Sequence, residues 1–228
     1  MLKARSKEEE IMDDLAIEGE VIEQTLRELD TINQLLGGNQ ISLKLFKKLA
    51  QGQKEISLAD LGCGGGDIMV SMAKWCRKKG IKASFTGIDA NPHIVEYARK
   101  HTAAYPEITY ECLNIFDPAF ESLKFDLVHC CLFTHHFSSE QLIALFRNFR
   151  QQAAIGVIIN DLHRHFLAYY SIKILTKLFS KSYMVQNDAA VSVARGFKKD
   201  ELRSILSAAG ISKYELYWKW AFRWQLFF

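Results

Sequence analysis

This sequence has few prolines, no CxxC cysteine pair, a small net charge and no long apolar run. Each of these features argues against a class of protein. The chain of 228 residues has three prolines and no low-complexity segment. Its five cysteines form no CxxC pair, which indicates reduced thiols and predicts a cytoplasmic location. No apolar run approaches the ~20 residues of a membrane span, and the charged start MLKARSKEEEIMDDL does not resemble a signal peptide. A net charge of +3 without a basic stripe argues against nucleic acid as a partner.

The most informative stretch is a glycine-rich turn between a short apolar run and a helical pattern. The apolar residues of 56–61 predict a buried parallel strand. Glycines follow at 62, 64, 65 and 66, and a helix is predicted from 67 to about 79. Such glycines let the backbone approach a ligand closely, and the helix start presents free N–H groups to it. Asp60 and Asp67 flank the turn, and their carboxylates favour a cationic or hydroxyl-rich ligand over a pyrophosphate.

This D-x-G-x-G-x-G pattern resembles motif I of the class I S-adenosylmethionine-dependent methyltransferases. The resemblance implies S-adenosylmethionine as the cofactor, with its methionine part at the glycine turn. Asp89 ends the second predicted strand, where an acid accepts hydrogen bonds from ribose hydroxyls, and the family recognises adenine near Asn114. The implied cofactor-binding residues are Asp60, Gly62, Cys63, Gly64, Gly66, Asp89, Ala90, Asn114, Ile115 and Cys131.

Two alternatives come from other classes of protein. An NAD-dependent oxidoreductase is disfavoured because Asp67 stands where the dinucleotide fingerprint has its third glycine. A catalytically silent protein that only binds S-adenosylmethionine would carry the same motif.

Alternating strand and helix patterns predict an α/β fold with a Rossmann-like, doubly wound sheet. We expect seven strands, the last of them antiparallel. Residues 1–52 are predicted to form an N-terminal helical lid, including a helix that starts at a Ser6–Glu9 capping box. Residues 53–228 are predicted to form the methyltransferase domain, with a helical insertion at about 163–190.

The exit of the fourth predicted strand carries the candidate catalytic residues His135 and His136. Methylation of a hydroxyl requires loss of its proton, and a histidine is a natural base. The exit resembles that of plant-type O-methyltransferases, in which the histidine aligned with His135 is the base, and that of quinone-biosynthesis methyltransferases. A zinc site formed by His129, Cys130, Cys131, His135 and His136 is disfavoured because neighbouring strand residues face opposite sides, so no metal is expected.

The fifth predicted strand ends in polar residues before an apolar helix. His163, Arg164 and Tyr169 are the candidate substrate contacts, whereas Asp161 is either an orienting group or a helix cap. The helix is interpreted as a lid over a hydrophobic acceptor; the alternative is weak contact with a membrane surface through its lysine stripe. The acceptor is predicted to be an apolar, aromatic, quinone-like or polyketide-like small molecule methylated on oxygen. The sequence gives no prediction of oligomeric state.

Overall fold

The computed structural model describes residues 2–228, and its centre is one sheet of seven strands. The strands, β1 to β7 in chain order, are Glu55–Leu61, Lys82–Asp89, Ile108–Cys112, Phe125–Cys131, Ala153–Leu162, Glu215–Lys219 and Arg223–Phe227. Their order across the sheet is β3-β2-β1-β4-β5-β7-β6. Strands β1 to β5 are parallel, and β7 pairs antiparallel with both β5 and β6. The predicted mixed sheet with an antiparallel last strand is therefore confirmed.

Helices cover both faces of this sheet. Within residues 2–228 the α-helices, α1 to α9, are Glu20–Leu35, Gly38–Ala50, Asp67–Lys79, Pro92–His101, Pro118–Glu121, Ser139–Gln152, Phe166–Phe179, Tyr183–Arg195 and Lys199–Ala208. On one face Phe146 and Phe149 of α6 pack with Leu206 of α9. On the other face Phe46 of α2 packs with Met69 of α3. These two apolar layers make the fold doubly wound, as the alternating pattern predicts.

The strand order brings the two candidate motifs together. Strand β1 lies between β2 and β4, and Asp60 of β1 is in register with His129 of β4. The order of the chain reverses at this point, which is where ligands bind in open α/β sheets. The glycine turn after β1 and the histidine pair after β4 therefore leave the same edge of the sheet side by side.

The first residues differ from the prediction, because they form no α-helix. Residues 2–10 are irregular, a single 3₁₀ turn spans Ile11–Asp13, and α1 begins only at Glu20. The cause lies in bonds to distant parts of the chain: Asp188 of α8 accepts hydrogen bonds from the backbone N–H groups of Ile11 and Met12, at 2.9 and 3.0 Å. We call residues 2–17 the N-terminal strap, since they cross the carboxyl edge of the sheet.

The insertion after β5 contains two helices where the sequence indicated one. The Ser182 hydroxyl accepts a hydrogen bond from Val185 N–H and caps α8, which runs on to Arg195, beyond the predicted limit of 190. Helix α8 packs against α7, α1 and the 3₁₀ turn of the strap. It thereby closes one side of the region above the sheet edge. Among residues 2–228, the helices all fall short of the length and apolar character that a membrane crossing needs.

Candidate functional site

A cavity of about 410 Å³ opens at the carboxyl edge of the sheet. Its walls come from the glycine turn, the ends of β2 and β4, helices α1 and α8, and the N-terminal strap. Nine of the ten predicted cofactor-binding residues line it: Asp60, Gly62, Cys63, Gly64, Asp89, Ala90, Asn114, Ile115 and Cys131. The tenth, Gly66, lies beneath the turn against Tyr110. The sequence therefore predicted one wall of the cavity, and cofactor binding by these residues stays a prediction.

The glycine turn has a conformation that other residues would strain. Gly62 and Gly66 have φ of +65° and +80°, in the left-handed region. A Cβ at Gly62 would collide with the ring of Phe133, and one at Gly66 with the hydroxyl of Tyr110. These glycines let the turn pack tightly against its neighbours while its backbone faces the cavity.

Asp89 lies beside this turn and accepts a hydrogen bond from it. One carboxylate oxygen accepts a long hydrogen bond from Gly64 N–H (3.4 Å), and the other accepts one from Asn91 N–H (3.1 Å). Burial raises the pKa of Asp89 to about 6, against the lowering effect of these two donors. The carboxylate keeps free acceptor positions toward the cavity, as recognition of a ribose requires.

Asp60 has a different environment from the one the sequence indicated. Its carboxylate is 2% exposed and lies 2.7 Å from Nδ1 of His129, whose Nε2 lies 2.8 Å from the Ser42 hydroxyl. Asn160 donates to the same hydroxyl at 3.1 Å. These four side chains join β1, β4, β5 and α2 in one buried polar network. The sequence analysis considered His129 only as a metal ligand and missed this role, because its partners lie far apart in the chain.

Aromatic rings border the cavity between the loop after β3 and the exit of β4. The Asn114 side-chain oxygen accepts a hydrogen bond from Phe116 N–H at 3.0 Å, which fixes the loop after β3. Phe137 packs edge-on against both Phe116 and Phe133, with ring centroids 5.5 and 5.0 Å apart. All three rings line the cavity, and the sequence analysis singled out none of them.

His135 is fixed by Asp161 at the end of β5. Its Nδ1 lies 2.7 Å from Asp161 Oδ1, and Asp161 Oδ2 accepts hydrogen bonds from the Thr134 hydroxyl and from His135 N–H, at 2.6 and 3.1 Å. Both side chains are 2% exposed. This arrangement directs Nε2 of His135 toward Glu10, and both residues line the cavity. Asp161 is therefore an orienting group, and the cap of the following helix is His165.

The strap adds carboxylates that the sequence analysis did not anticipate. Glu10 Oε1 lies 3.3 Å from His135 Nε2, and Asp13 Oδ1 lies 2.6 Å from His136 Nδ1. Burial disfavours the charged imidazole, but the carboxylates of Asp161 and Glu10 outweigh it and raise the pKa of His135 to about 9. His135 is therefore mostly protonated at neutral pH in this arrangement.

Comparisons with known proteins place this geometry in a family. Residues 58–156 match the family model described as a methyltransferase domain. These residues are a methyltransferase domain, and they make up less than half of the chain. Over 104 residues the chain is 31% identical to the ubiquinone biosynthesis O-methyltransferase of Actinobacillus pleuropneumoniae, an alignment that covers 43% of this chain and 42% of the relative. The chain thus matches less than half the length of this curated relative.

Solved structures share the fold of the methyltransferase domain over a larger part of the chain. The plantazolicin methyltransferase BpumL, solved with S-adenosylhomocysteine, has a TM-score of 0.64 at 18% identity and covers 87% of this chain and 73% of its own. The magnesium protoporphyrin IX methyltransferase of Synechocystis PCC 6803, also solved with S-adenosylhomocysteine, has a TM-score of 0.54 at 18% identity over 83% and 81% of the two chains. At these identities the likeness shows the fold.

The three predicted substrate contacts do not line the cavity of the methyltransferase domain. Arg164 is wholly buried and forms a bidentate pair with Glu201, at 2.6 and 2.9 Å, while it also donates to Gly196 O. His163 accepts a hydrogen bond from the Trp218 indole at 3.1 Å, and Tyr169 packs against Tyr170. Arg164 is thus turned toward α9 and His163 toward β6, because β5 continues to Leu162 and carries both past the sheet edge.

One group of three side chains within residues 2–228 has the composition of a metal site. Potential ligand atoms of Glu10, His135 and His136 all lie within 4.8 Å of one another, a set that shares the two histidines with the zinc site weighed above and has Glu10 in place of its strand residues. However, Nη1 of Arg195 lies 3.8 Å from Glu10 and 2.5 Å from Asp13. A permanent cation and the proton on His135 already balance these carboxylates, so the geometry favours acid–base chemistry.

Helix α1, part of the predicted N-terminal lid, supplies further residues to the cavity. Leu26, Leu29, Asp30 and Asn33 all line the cavity, and Leu26 packs against the glycine turn. Burial and the nearby carboxylate of Asp67 raise the pKa of Asp30. A helical period predicts the helix, but only the folded chain shows which face meets the glycine turn.

Proposed function

We propose that this chain is an S-adenosylmethionine-dependent O-methyltransferase of an apolar, aromatic, quinone-like or polyketide-like small molecule. One observation carries the proposal: His135, oriented by Asp161, lines the same cavity as the glycine turn and Asp89. The matched relatives are ubiquinone biosynthesis O-methyltransferases, which supports oxygen as the methylated atom and a quinone-like acceptor.

We assign the cofactor to the glycine-turn side of the cavity. The methionine part would lie along Gly62–Gly64, the ribose hydroxyls at Asp89, and the adenine between Asn114 and Ile115. Carboxylates of Asp30, Asp67 and Asp89 surround this region and suit a ligand with a cationic sulfonium and an ammonium group. When bound, S-adenosylmethionine supplies the methyl group.

The acceptor side of the cavity is the part bordered by Phe133, Phe137 and the two histidines. Flat apolar surfaces would bury an aromatic acceptor, while His135 Nε2 accepts the hydroxyl proton as the oxygen attacks. A base in this position contributes about 10²–10⁴-fold to the rate, and holding the reactants in line contributes comparably. His136, half-buried and paired with Asp13, is the second candidate to contact the acceptor.

Binding and turnover test the proposal separately. A ligand present at about 100 times its Kd stabilises the folded protein by about 2.7 kcal/mol, so S-adenosylhomocysteine should raise the melting temperature and NAD should not. Methyl transfer is then measured by mass spectrometry on a panel of hydroxylated quinones and phenols. Stabilisation by NAD alone would refute the assignment in favour of an oxidoreductase. Binding of S-adenosylhomocysteine without transfer to any oxygen acceptor would favour the silent binding protein.

We also propose weak contact with an anionic membrane surface and a cytoplasmic site of action. Helix α7 exposes Ile174, Leu178 and Phe179, by 61, 69 and 80%, next to Lys173 and Lys177. Apolar side chains edged by lysines suit an interface with anionic lipid, where a hydrophobic acceptor would be concentrated. Co-sedimentation with anionic but not neutral vesicles, lost in Leu178→Ser with Phe179→Ser, is the expected result. The five cysteines are free thiols, as in a reducing compartment, and nothing in the charge distribution favours nucleic acid.

A further inference from the structure

Glu10 is a buried carboxylate with only one of its oxygens satisfied. Oε2 accepts a hydrogen bond from the Ser192 hydroxyl at 2.7 Å. Oε1 has no hydrogen-bond donor, although Glu10 is only 7% exposed, and Nε2 of His135, 3.3 Å away, also has no partner in a hydrogen bond. Buried polar atoms are rarely left open. Here two of them face each other in the cavity, at the point where the acceptor hydroxyl would have to enter.

The two atoms belong to parts of the chain that are held very differently. The His135 ring is fixed by Asp161, which belongs to the central sheet. Glu10 belongs to the N-terminal strap, and it is the only buried residue among residues 2–17, all of which the structure describes. The strap is held mainly by polar contacts, such as those of Ile11 and Met12 with Asp188. A segment that buries so little apolar surface opens at low free-energy cost.

Charged groups reach His135 from every element around it. Asp161 approaches from β5 and Glu10 from the strap, and His136 is adjacent in the same turn. Arg195 of α8 donates to the backbone oxygens of His135 and His136, and Arg5 of the strap also donates to His135 O. Asp13 is occupied by Arg195 and His136. Glu10 is therefore the group of the strap that acts directly on Nε2.

We propose, on the basis of the function above, that Glu10 is a positioning residue and that the strap couples acceptor entry to the proton state of His135. With the strap seated, the Glu10 carboxylate retains a proton on Nε2. Entry of the acceptor displaces Glu10, and the imidazolium releases that proton to solvent. The neutral ring then takes the acceptor's hydroxyl proton: the O–H bond breaks, an N–H bond forms at Nε2, and the oxygen gains the methyl group as the sulfonium becomes a thioether.

The test is an NMR titration of the His135 side chain in the full chain, with its signal identified by its absence in His135→Asn. Wild type and the matched control Glu9→Gln should titrate near pH 9. In Glu10→Gln the midpoint should fall by roughly one to two pH units, as loss of an opposite charge at this distance predicts. Asp188→Asn retains Glu10 but weakens the attachment of the strap, so it should lower the midpoint by less than Glu10→Gln does. An unchanged midpoint in Glu10→Gln would overturn the role of Glu10, and one unchanged in Asp188→Asn would overturn the role of the strap.

This titration requires neither cofactor nor turnover, so it can fail or succeed independently of the proposed function. Where turnover is found, kinetics adds a second readout, because the pH dependence of kcat/KM reports the free enzyme and that of kcat reports the complex. In wild type, the pH at which kcat/KM falls on the acid side should be higher than the pH at which kcat falls. In Glu10→Gln these two pH values should coincide. Coincident limbs in wild type would refute coupling to the acceptor.

Discussion

His135 should make the stability of the protein fall as the pH rises from neutral. Its ordinary pKa is 6.5, and the carboxylates of Asp161 and Glu10, opposed by burial, raise the pKa to about 9 in the folded protein. The folded state thus binds the proton more tightly than the unfolded chain does. The stabilisation is complete below pH 6.5 and disappears as the pH rises through 9, and this difference in pKa corresponds to about 3 kcal/mol.

The assay is urea unfolding of wild type and His135→Gln under reducing conditions at intervals between pH 6 and 8.5, a range in which the titration of thiols is common to both proteins. The difference in unfolding free energy between the two proteins isolates the contribution of the histidine. It should shrink by about 2 kcal/mol across the range, as the proton linkage requires. A difference that stays constant with pH would show that His135 is buried without its proton, and the charge arrangement described here would then be wrong.

Three further predictions concern the glycine turn, the buried network and Arg164. Gly66→Ala should weaken S-adenosylhomocysteine binding and should destabilise the fold by more than Gly80→Ala does in a thermal melt. Both glycines have positive φ, so alanine adds about 1 kcal/mol of strain at either position, but only at Gly66 would the added Cβ also meet a neighbouring side chain. Ser42→Ala should cost about 1–3 kcal/mol in urea unfolding, since it removes a buried partner of His129 and Asn160; a cost near zero would mean that water replaces the hydroxyl. Arg164→Gln should lower the free energy of unfolding by about 3 kcal/mol and leave KM unchanged. A rise in KM without loss of stability would instead support Arg164 as a substrate contact.

The parts of the structure that the sequence predicted are those fixed by local pattern. The strand–turn–helix around the glycines can be recognised because its apolar run, its glycines and its helix start are contiguous. Asn91 caps α4 and Pro92 occupies its first turn, as the residue types indicate. Once these units are assigned, parallel pairing and right-handed connections determine most of the sheet. This is why nine of the ten predicted cofactor-binding residues lie around one cavity.

The parts that the sequence did not predict depend on contacts between distant segments. Ser6 and Glu9 have the pattern of a capping box, but Ser6 N–H bonds to Ala194 O instead, and the predicted first helix does not form. Arg164 has the chemistry of an anion contact, yet Glu201, 37 residues later, holds its guanidinium. Local pattern contains no information about which of two chemically suitable partners the folded chain brings closer.

Asp161 shows how the fold itself builds the candidate base. The side chain lies near the end of β5, and its two oxygens accept from the Thr134 hydroxyl, from the backbone N–H and ring Nδ1 of His135, and from Leu162 N–H. One carboxylate therefore locks the exit of β4 to the end of β5, and it does so from a position that the sheet makes rigid. The opposite side of the imidazole meets Glu10, on a segment with little buried surface. If the strap opens as proposed, the histidine keeps its orientation through Nδ1 while the charge at Nε2 changes, which is what a base that must first release a proton requires.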